Sequence, residues 1–147
     1  MVDSLRKIFE RELDKLSDEV KSFHEDSDIW ITPGAIKNSP GNLCLHVCGN
    51  LQHFIGGILG NSGYERQREK EFSSKNIPKE ILLKEIDKTK DIVDKTLQNL
   101  DSEKLHQNYP INVFNEDMTI AFFLIHLSTH LSYHIGQINY LRRILLN

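Results

Sequence analysis

Residues 126–137 read His-Leu-Ser-Thr-His-Leu-Ser-Tyr-His-Ile-Gly-Gln and place His126, His130 and His134 four residues apart. In an α-helix, a step of four residues turns the chain only about 40° beyond a full turn. The three imidazoles and Gln137 would therefore project from one flank of such a helix. Imidazoles separated by one helical turn can bring two ring nitrogens to the same metal ion. A third ligand from another helix would complete a site that keeps one position open.

The segment 118–147, which contains this motif, has the pattern of an amphipathic helix. Its apolar residues recur at steps of three and four, as expected when one helix face is buried. These residues are Ile120, Phe123, Leu124, Leu127, Leu131, Ile138, Leu141 and Leu145. The segment is expected to form the last helix of the chain, with Asn115 or Asp117 as its N-terminal cap.

Three other segments have helical patterns, and with the last one they predict an all-α fold. The predicted helices are 3–23, 40–59, 77–101 and 118–147. Asp3 or Ser4 is expected to cap the first helix, and Ser39 the second. Residues 105–117 are expected to form an extended crossover or a small hairpin. Four helices with one long crossover predict a four-helix bundle, formed by residues 1–147 as a single domain.

The composition restricts the classes of function. The formal charge is −3, from 18 lysines and arginines and 21 aspartates and glutamates. Basic residues mostly alternate with acidic ones along helical faces, which argues against a nucleic-acid interface. The polar N-terminus has no signal-peptide core, and no apolar run approaches the roughly 20 residues of a membrane span. We therefore expect a soluble, cytoplasmic protein that binds neither nucleic acid nor a membrane.

The two cysteines, Cys44 and Cys48, are separated by one helical turn. Cβ atoms at this spacing lie about 5–6 Å apart, whereas a disulfide needs about 3.8 Å. We interpret both as reduced, small apolar residues. Metal ligation or redox sensing is the less favoured alternative.

The second predicted helix carries its own polar flank. His46, Asn50 and His53 share that flank, since His53 lies within about 20° of His46 after two turns. Gly49 indicates the close approach of a neighbouring helix or a ligand. Gly56, Gly57 and Gly60 lower helix propensity by about 1 kcal/mol each, and the helix is expected to fray at Gly56-Gly57 and to end at residues 60–63, which read Gly-Asn-Ser-Gly.

The charged segment 64–76 allows two interpretations. It could form a loop at the mouth of a site, with Arg66 or Arg68 available to bind an anion. A solvated connection with internal salt bridges is the favoured interpretation, because such charge runs are common.

The histidines also allow two interpretations at this level. Two histidines four residues apart are a weak motif, which a metal site and ordinary polar packing both explain. An unpartnered imidazole beside an apolar stripe would cost roughly 1–3 kcal/mol, which favours a partner for His130 and His134. His46 lies on a flank of another helix that can face them.

Residues 38–51 and 130–138 together resemble the DinB/YfiT-like superfamily, and within it a group of uncharacterised bacterial proteins. They read Asn-Ser-Pro-Gly-Asn-Leu-Cys-Leu-His-Val-Cys-Gly-Asn-Leu and His-Leu-Ser-Tyr-His-Ile-Gly-Gln-Ile. The resemblance implies an up-down-down-up four-helix bundle, commonly a homodimer, with a divalent ion held by three histidines. Matched onto this chain, the ligands would be His46, His130 and His134. His126 is an extra histidine, so the pair His126/His130 is a rival assignment.

The resemblance also suggests an activity. Characterised members are metal-dependent thiol transferases that use low-molecular-weight thiols such as bacillithiol or mycothiol, or a glutathione-dependent isomerase. The leading hypothesis is a divalent-metal-dependent enzyme, either a thiol S-transferase or a hydrolase, that acts on a small-molecule substrate. Zinc or nickel is the favoured ion, and iron or manganese also accepts imidazole. Asn50, His53, His126 and Gln137 are candidates to support the ligands or contact the substrate.

Two other hypotheses remain. The protein could be a non-catalytic metal-binding module or a dimeric interaction bundle, in which the histidines are only structural. A helical bundle that binds haem through pairs of histidines is the weakest hypothesis.

Overall fold

The computed structural model describes residues 1–146, and within that range the chain is helical without a β-strand. The helices are α1 (Val2–Lys21), α2 (Pro40–Leu51), α3 (Arg68–Ser73), α4 (Lys79–Gln98) and α5 (Ile120–Leu145). A π-helical segment, Gln52–Leu59, continues α2. Single turns of 3₁₀-helix cover Asp26–Trp30 and Ser102–His106.

The core lies between α1, α2, α4 and α5. Helix α1 packs against α4 and α5, and α2 packs against α3, α4 and α5. The buried apolar residues of α1 follow the predicted spacing of three and four, and they are Leu5, Phe9, Leu13, Leu16 and Val20. Burial of each such large side chain contributes about 1.5–3 kcal/mol. The all-α prediction is confirmed, whereas the up-down-down-up order of a four-helix bundle stays a prediction.

The helical backbone of α2 and its π-helical continuation begins and ends where the sequence predicts. The Ser39 hydroxyl accepts a hydrogen bond from the backbone N–H of Asn42, so the predicted cap is confirmed. The helical backbone ends at Leu59, with Gly60 as its C-cap, which confirms the predicted end, whereas Gly56 and Gly57 lie inside the wider π-helical turns. A Cβ at Gly56 would collide with Ile92 of α4, so this glycine permits close helix packing.

The predicted caps of the first and last helices are wrong. Helix α1 begins directly after Met1, with no side-chain cap. Thr119 caps α5, and its hydroxyl accepts from the backbone N–H of Phe122. Asn115 adopts a left-handed conformation with φ of 59°, which is turn geometry and not the extended geometry of a cap.

The crossover before α5 is held by few backbone hydrogen bonds. One isolated antiparallel bridge joins Asn108 to Thr119, so this segment approaches a hairpin without forming strands. The Tyr109 hydroxyl donates to the carbonyl of Phe54 in the π-helical segment, at 2.7 Å. This bond attaches the crossover to the end of α2, next to the histidines described below.

Two further expectations concern the cysteines and the membrane. Cys44 and Cys48 are free and buried, as the sequence predicts. Within residues 1–146, no helix combines the length and the apolarity that crossing a membrane requires.

Candidate metal centre

Three histidine side chains from two helices meet at one point of the structure. His46 extends from α2, and His130 and His134 extend from α5. The Nε2 atom of His130 lies 3.3 Å from Nε2 of His46 and 3.1 Å from Nε2 of His134. The His134 ring is nearly perpendicular to both others, at 87° to His130 and 89° to His46. The rings therefore direct nitrogens towards a common centre and do not stack.

A carboxylate sets the orientation of the His46 ring. Nδ1 of His46 lies 3.0 Å from Oε1 of Glu71, a residue of α3. An ionised carboxylate only accepts hydrogen bonds, so the network places the His46 proton on Nδ1. The lone pair of His46 is then on Nε2, which faces the other two histidines. Carboxylates commonly hold metal-binding histidines in this way.

Glu71 is itself fixed by Arg66. The Arg66 guanidinium donates from Nε to Oε2 at 2.9 Å and from Nη2 to Oε1 at 3.0 Å. Both side chains are largely buried, with 12% of Arg66 and 7% of Glu71 exposed. Burial alone would raise the pKa of Glu71, but hydrogen bonds from His46 and Arg66 outweigh it and hold that pKa below its usual value. The carboxylate is therefore ionised at neutral pH and available to the His46 N–H.

Gly49 makes the approach of Glu71 possible. A β-carbon at position 49 would collide with the carboxylate of Glu71. The prediction that Gly49 marks a close approach is confirmed, and the approaching group is the Glu71 side chain. The sequence did not indicate this role for Glu71, which lies in a charged run that favoured a solvated connection.

Gln137 orients the His134 ring from the same helix. Nδ1 of His134 donates to Oε1 of Gln137 at 2.7 Å, which leaves the lone pair of His134 on Nε2. Burial lowers the pKa of His134. Burial, together with the nearby His134 and His46, lowers the pKa of His130 to about 4. His130 and His134 are therefore neutral at pH 7, which is the form that binds a metal ion.

The spacing and the lone pairs of the three histidines fit a divalent cation. Two imidazole nitrogens bound tetrahedrally at about 2.0–2.1 Å from a zinc ion lie about 3.3 Å apart. The two Nε2–Nε2 distances of 3.1 and 3.3 Å agree with that value. A single proton on Nε2 of His130 satisfies at most one of the two facing lone pairs. A cation at the centre satisfies all three nitrogens, so these residues can hold a metal ion.

The other histidines predicted for the site lie outside this centre. The ring of His126 is nearly parallel to that of His130, with centroids 6.3 Å apart, and stacks on Phe123. The His126/His130 pair therefore lacks the convergence that His130 shows with His134. His53 lies against Phe54, with ring centroids 4.7 Å apart, in the π-helical segment. The direction predicted for the His53 side chain assumes 3.6 residues per turn, and this assumption does not hold in that segment.

A cleft of about 400 Å³ opens beside the histidine centre. His46 and His130 form part of its wall, and Asn50 and His126 line it as well. Asn50 is buried, and its side-chain oxygen has no hydrogen-bond partner within residues 1–146. A second cleft, of about 640 Å³, is lined by His134 and Gln137. A bound ion would thus be accessible to small molecules.

The fold and this site define a helical protein with a candidate tri-histidine metal centre. The family model described as "Protein of unknown function (DUF1572)" matches residues 1–147. The chain belongs to this family, which is a DinB-like family. No curated protein sequence matches the chain closely enough to count as a relative.

Proposed function

We propose that this protein is a divalent-metal-dependent enzyme whose ion is held by His46, His130 and His134. The observation that carries this proposal is the convergence of three Nε2 atoms, two of which have their lone pairs directed inward by Glu71 and Gln137. Three protein ligands leave one position for water or substrate, which distinguishes catalytic zinc sites from structural ones. Zinc or nickel is the favoured ion, with iron or manganese as alternatives.

The proposed reaction is the activation of a thiol or of water for attack on a small electrophile. When bound, a divalent ion supplies Lewis acidity that lowers the pKa of a coordinated thiol or water. Three neutral imidazoles leave the positive charge of the ion uncompensated, which favours this use. Thiol S-transfer and hydrolysis are the two reaction classes proposed, with a low-molecular-weight thiol as the co-substrate of the first.

The protein residues contribute orientation and charge to this chemistry. Glu71, held by Arg66, keeps the His46 proton on Nδ1, and Gln137 does the same for His134. Asn50 lines the cleft, which supports its proposed contact with a bound molecule. His46 is buried and His130 and His134 are half-buried, which reduces competition from bulk water.

Metal content and activity together test the proposal. The protein, purified without a nickel column, should contain or take up one divalent ion per chain. The double variant His130→Ala/His134→Ala should lose that ion and any thiol-dependent turnover of an electrophile. His126→Ala is the matched control and should retain the ion. Absence of a stoichiometric ion, or its full retention in the double variant, would contradict the proposal.

A second candidate function is a non-catalytic, dimeric interaction bundle. Large apolar side chains are exposed along α5, including Tyr133 at 64%, Tyr140 at 66% and Ile144 at 61%. Light scattering should then give about twice the chain mass of 17.1 kDa. This candidate is favoured if the ion raises thermal stability while no thiol-dependent activity is found with a panel of electrophiles.

A further inference from the structure

The cleft beside His46 and His130 combines an aromatic wall with positive charge. Its apolar residues include Phe54, Phe114 and Phe123. Phe123 packs edge-on against Phe54, with ring centroids 5.1 Å apart and planes at 84°. Phe114 is 46% exposed and extends this wall to the rim. No carboxylate is among the residues, all within 1–146, that line the cleft.

The two arginines of the cleft differ in their partners. Arg66 uses Nε and Nη2 for its bidentate bond to Glu71, so its charge is compensated. Arg68 has no carboxylate within ion-pair distance in the described part of the chain. Its guanidinium lies 5.2 Å from the centre of the Phe72 ring, which packs against His46 at 4.8 Å. Arg68 is thus an uncompensated cation next to the candidate metal centre.

We propose that this cleft binds an organic anion, with its acidic group on Arg68 and its apolar or aromatic body on the phenylalanine wall. The inference rests on the proposed function and specifies the substrate class of that site. Arginine is well suited to a carboxylate, which it can bind with two hydrogen bonds. Aromatic side chains supply the apolar surface that most small-molecule sites use.

Asn50 adds a polar side chain to the wall of the cleft. The residue is 8% exposed and lines the cleft. The amide nitrogen of such a side chain can donate a hydrogen bond to a bound anion.

Calorimetric titration with 3-phenylpropanoate tests the inference on the zinc-loaded protein. Arg68→Gln should weaken binding about tenfold, because a hydrogen-bonded charge pair is lost. Lys70→Gln, an exposed cation of the same helix outside this cleft, should change the affinity less than about twofold. The neutral 3-phenylpropanamide and the small anion propanoate should both bind more weakly than 3-phenylpropanoate.

The aromatic wall is tested in the same titration. Phe114→Ala should weaken 3-phenylpropanoate binding and leave propanoate binding nearly unchanged. Phe122→Ala, an exposed phenylalanine outside the cleft, is the matched control. Equal binding by wild type, Arg68→Gln and Phe114→Ala would overturn the inference.

Zinc content, measured on each sample, separates this inference from the proposed function. If the chain binds zinc but Arg68→Gln leaves the affinity for 3-phenylpropanoate unchanged, the substrate inference fails and the metal centre stands. If the chain binds no zinc, the proposed function fails. The metal-free protein is then titrated in the same way. Binding of 3-phenylpropanoate that depends on Arg68 supports the inference about the cleft. Lack of such binding overturns that inference.

Discussion

Gly49 and Glu71 are matched across the contact between α2 and α3. The missing β-carbon of Gly49 leaves the space that the Glu71 carboxylate occupies. From there the carboxylate reaches Nδ1 of His46 at 3.0 Å. A glycine of α2 therefore allows an acidic side chain to set the tautomer of a candidate metal ligand on the preceding helical turn.

Gly49→Ala should weaken zinc binding about 10–100-fold, the usual effect of losing a partner that orients a metal-binding histidine. The added methyl group displaces Glu71 from His46, because Arg66 leaves the carboxylate little freedom to move aside. Competition titration with a chromogenic chelator measures the affinity. Gly136→Ala is the control, because within residues 1–146 only its chain neighbours and the backbone of its own helix lie near the added Cβ. That control should keep the affinity and gain about 0.5–1 kcal/mol of stability.

Glu71→Gln should also lower zinc affinity by about 10–100-fold. The amide oxygen can still accept from His46, but the negative charge and the ion pair with Arg66 are lost. The same titration applies, with Glu69→Gln, an exposed acid of the same helix, as control. Equal affinities for the two variants would show that Glu71 does not act on the metal centre.

Removal of the ion should lower thermal stability. An ion that binds only the folded chain adds about 2.7 kcal/mol when its free concentration is 100 times its dissociation constant. Calorimetric scans with added zinc, and after EDTA treatment, measure this difference. It should disappear in His46→Ala and persist in His126→Ala. A melting temperature that does not respond to zinc in the wild-type chain would contradict the metal centre.

The stability that Glu12 contributes to the fold should be lost in acid. Its buried side chain accepts hydrogen bonds from Lys15, from Arg11 and from Ser132 of α5. Burial alone would raise the pKa of Glu12, but these bonds outweigh it and the pKa is lowered. The unfolded chain therefore binds the proton more tightly, so the stabilisation is present above a pH of about 4.3 and is lost as the pH falls through the folded-state pKa.

Urea unfolding at pH 7 and at pH 3 measures that contribution. Glu12→Gln should lose stability at pH 7 and show a smaller further loss at pH 3 than the wild type. Glu10→Gln, an exposed acid of the same helix, should follow the wild-type dependence. An identical pH dependence of Glu12→Gln and wild type would refute the role given to this hydrogen-bond cluster.

The sequence predicted the helices and the candidate ligands His130 and His134 better than the third candidate ligand, His46. Periodicity placed His130 and His134 on one flank of α5, because both lie in a regular helix. It also placed His46 on a polar flank of α2 that can face the other two, and the resemblance assigned all three as ligands. Glu71 could not be foreseen as a partner, because its contact with His46 joins segments 25 residues apart and depends on how α3 packs. Gly49 was the one local signal of that contact.

The π-helical segment marks another limit of prediction from the sequence. His53 was assigned to the flank of His46 by assuming 3.6 residues per turn. The backbone widens after Leu51, so the direction of later side chains no longer follows that period. Gly56 and Gly57 remain within the helical backbone although their low propensity predicts fraying, because propensity alone does not include the packing of Gly56 against Ile92.

An anomalous-difference map from crystals of the zinc-loaded protein tests the candidate metal centre most directly. We expect one strong peak per chain, about 2.0–2.1 Å from Nε2 of each of His46, His130 and His134. A peak coordinated by His126 in place of His134, or no ordered peak between α2 and α5, would contradict it.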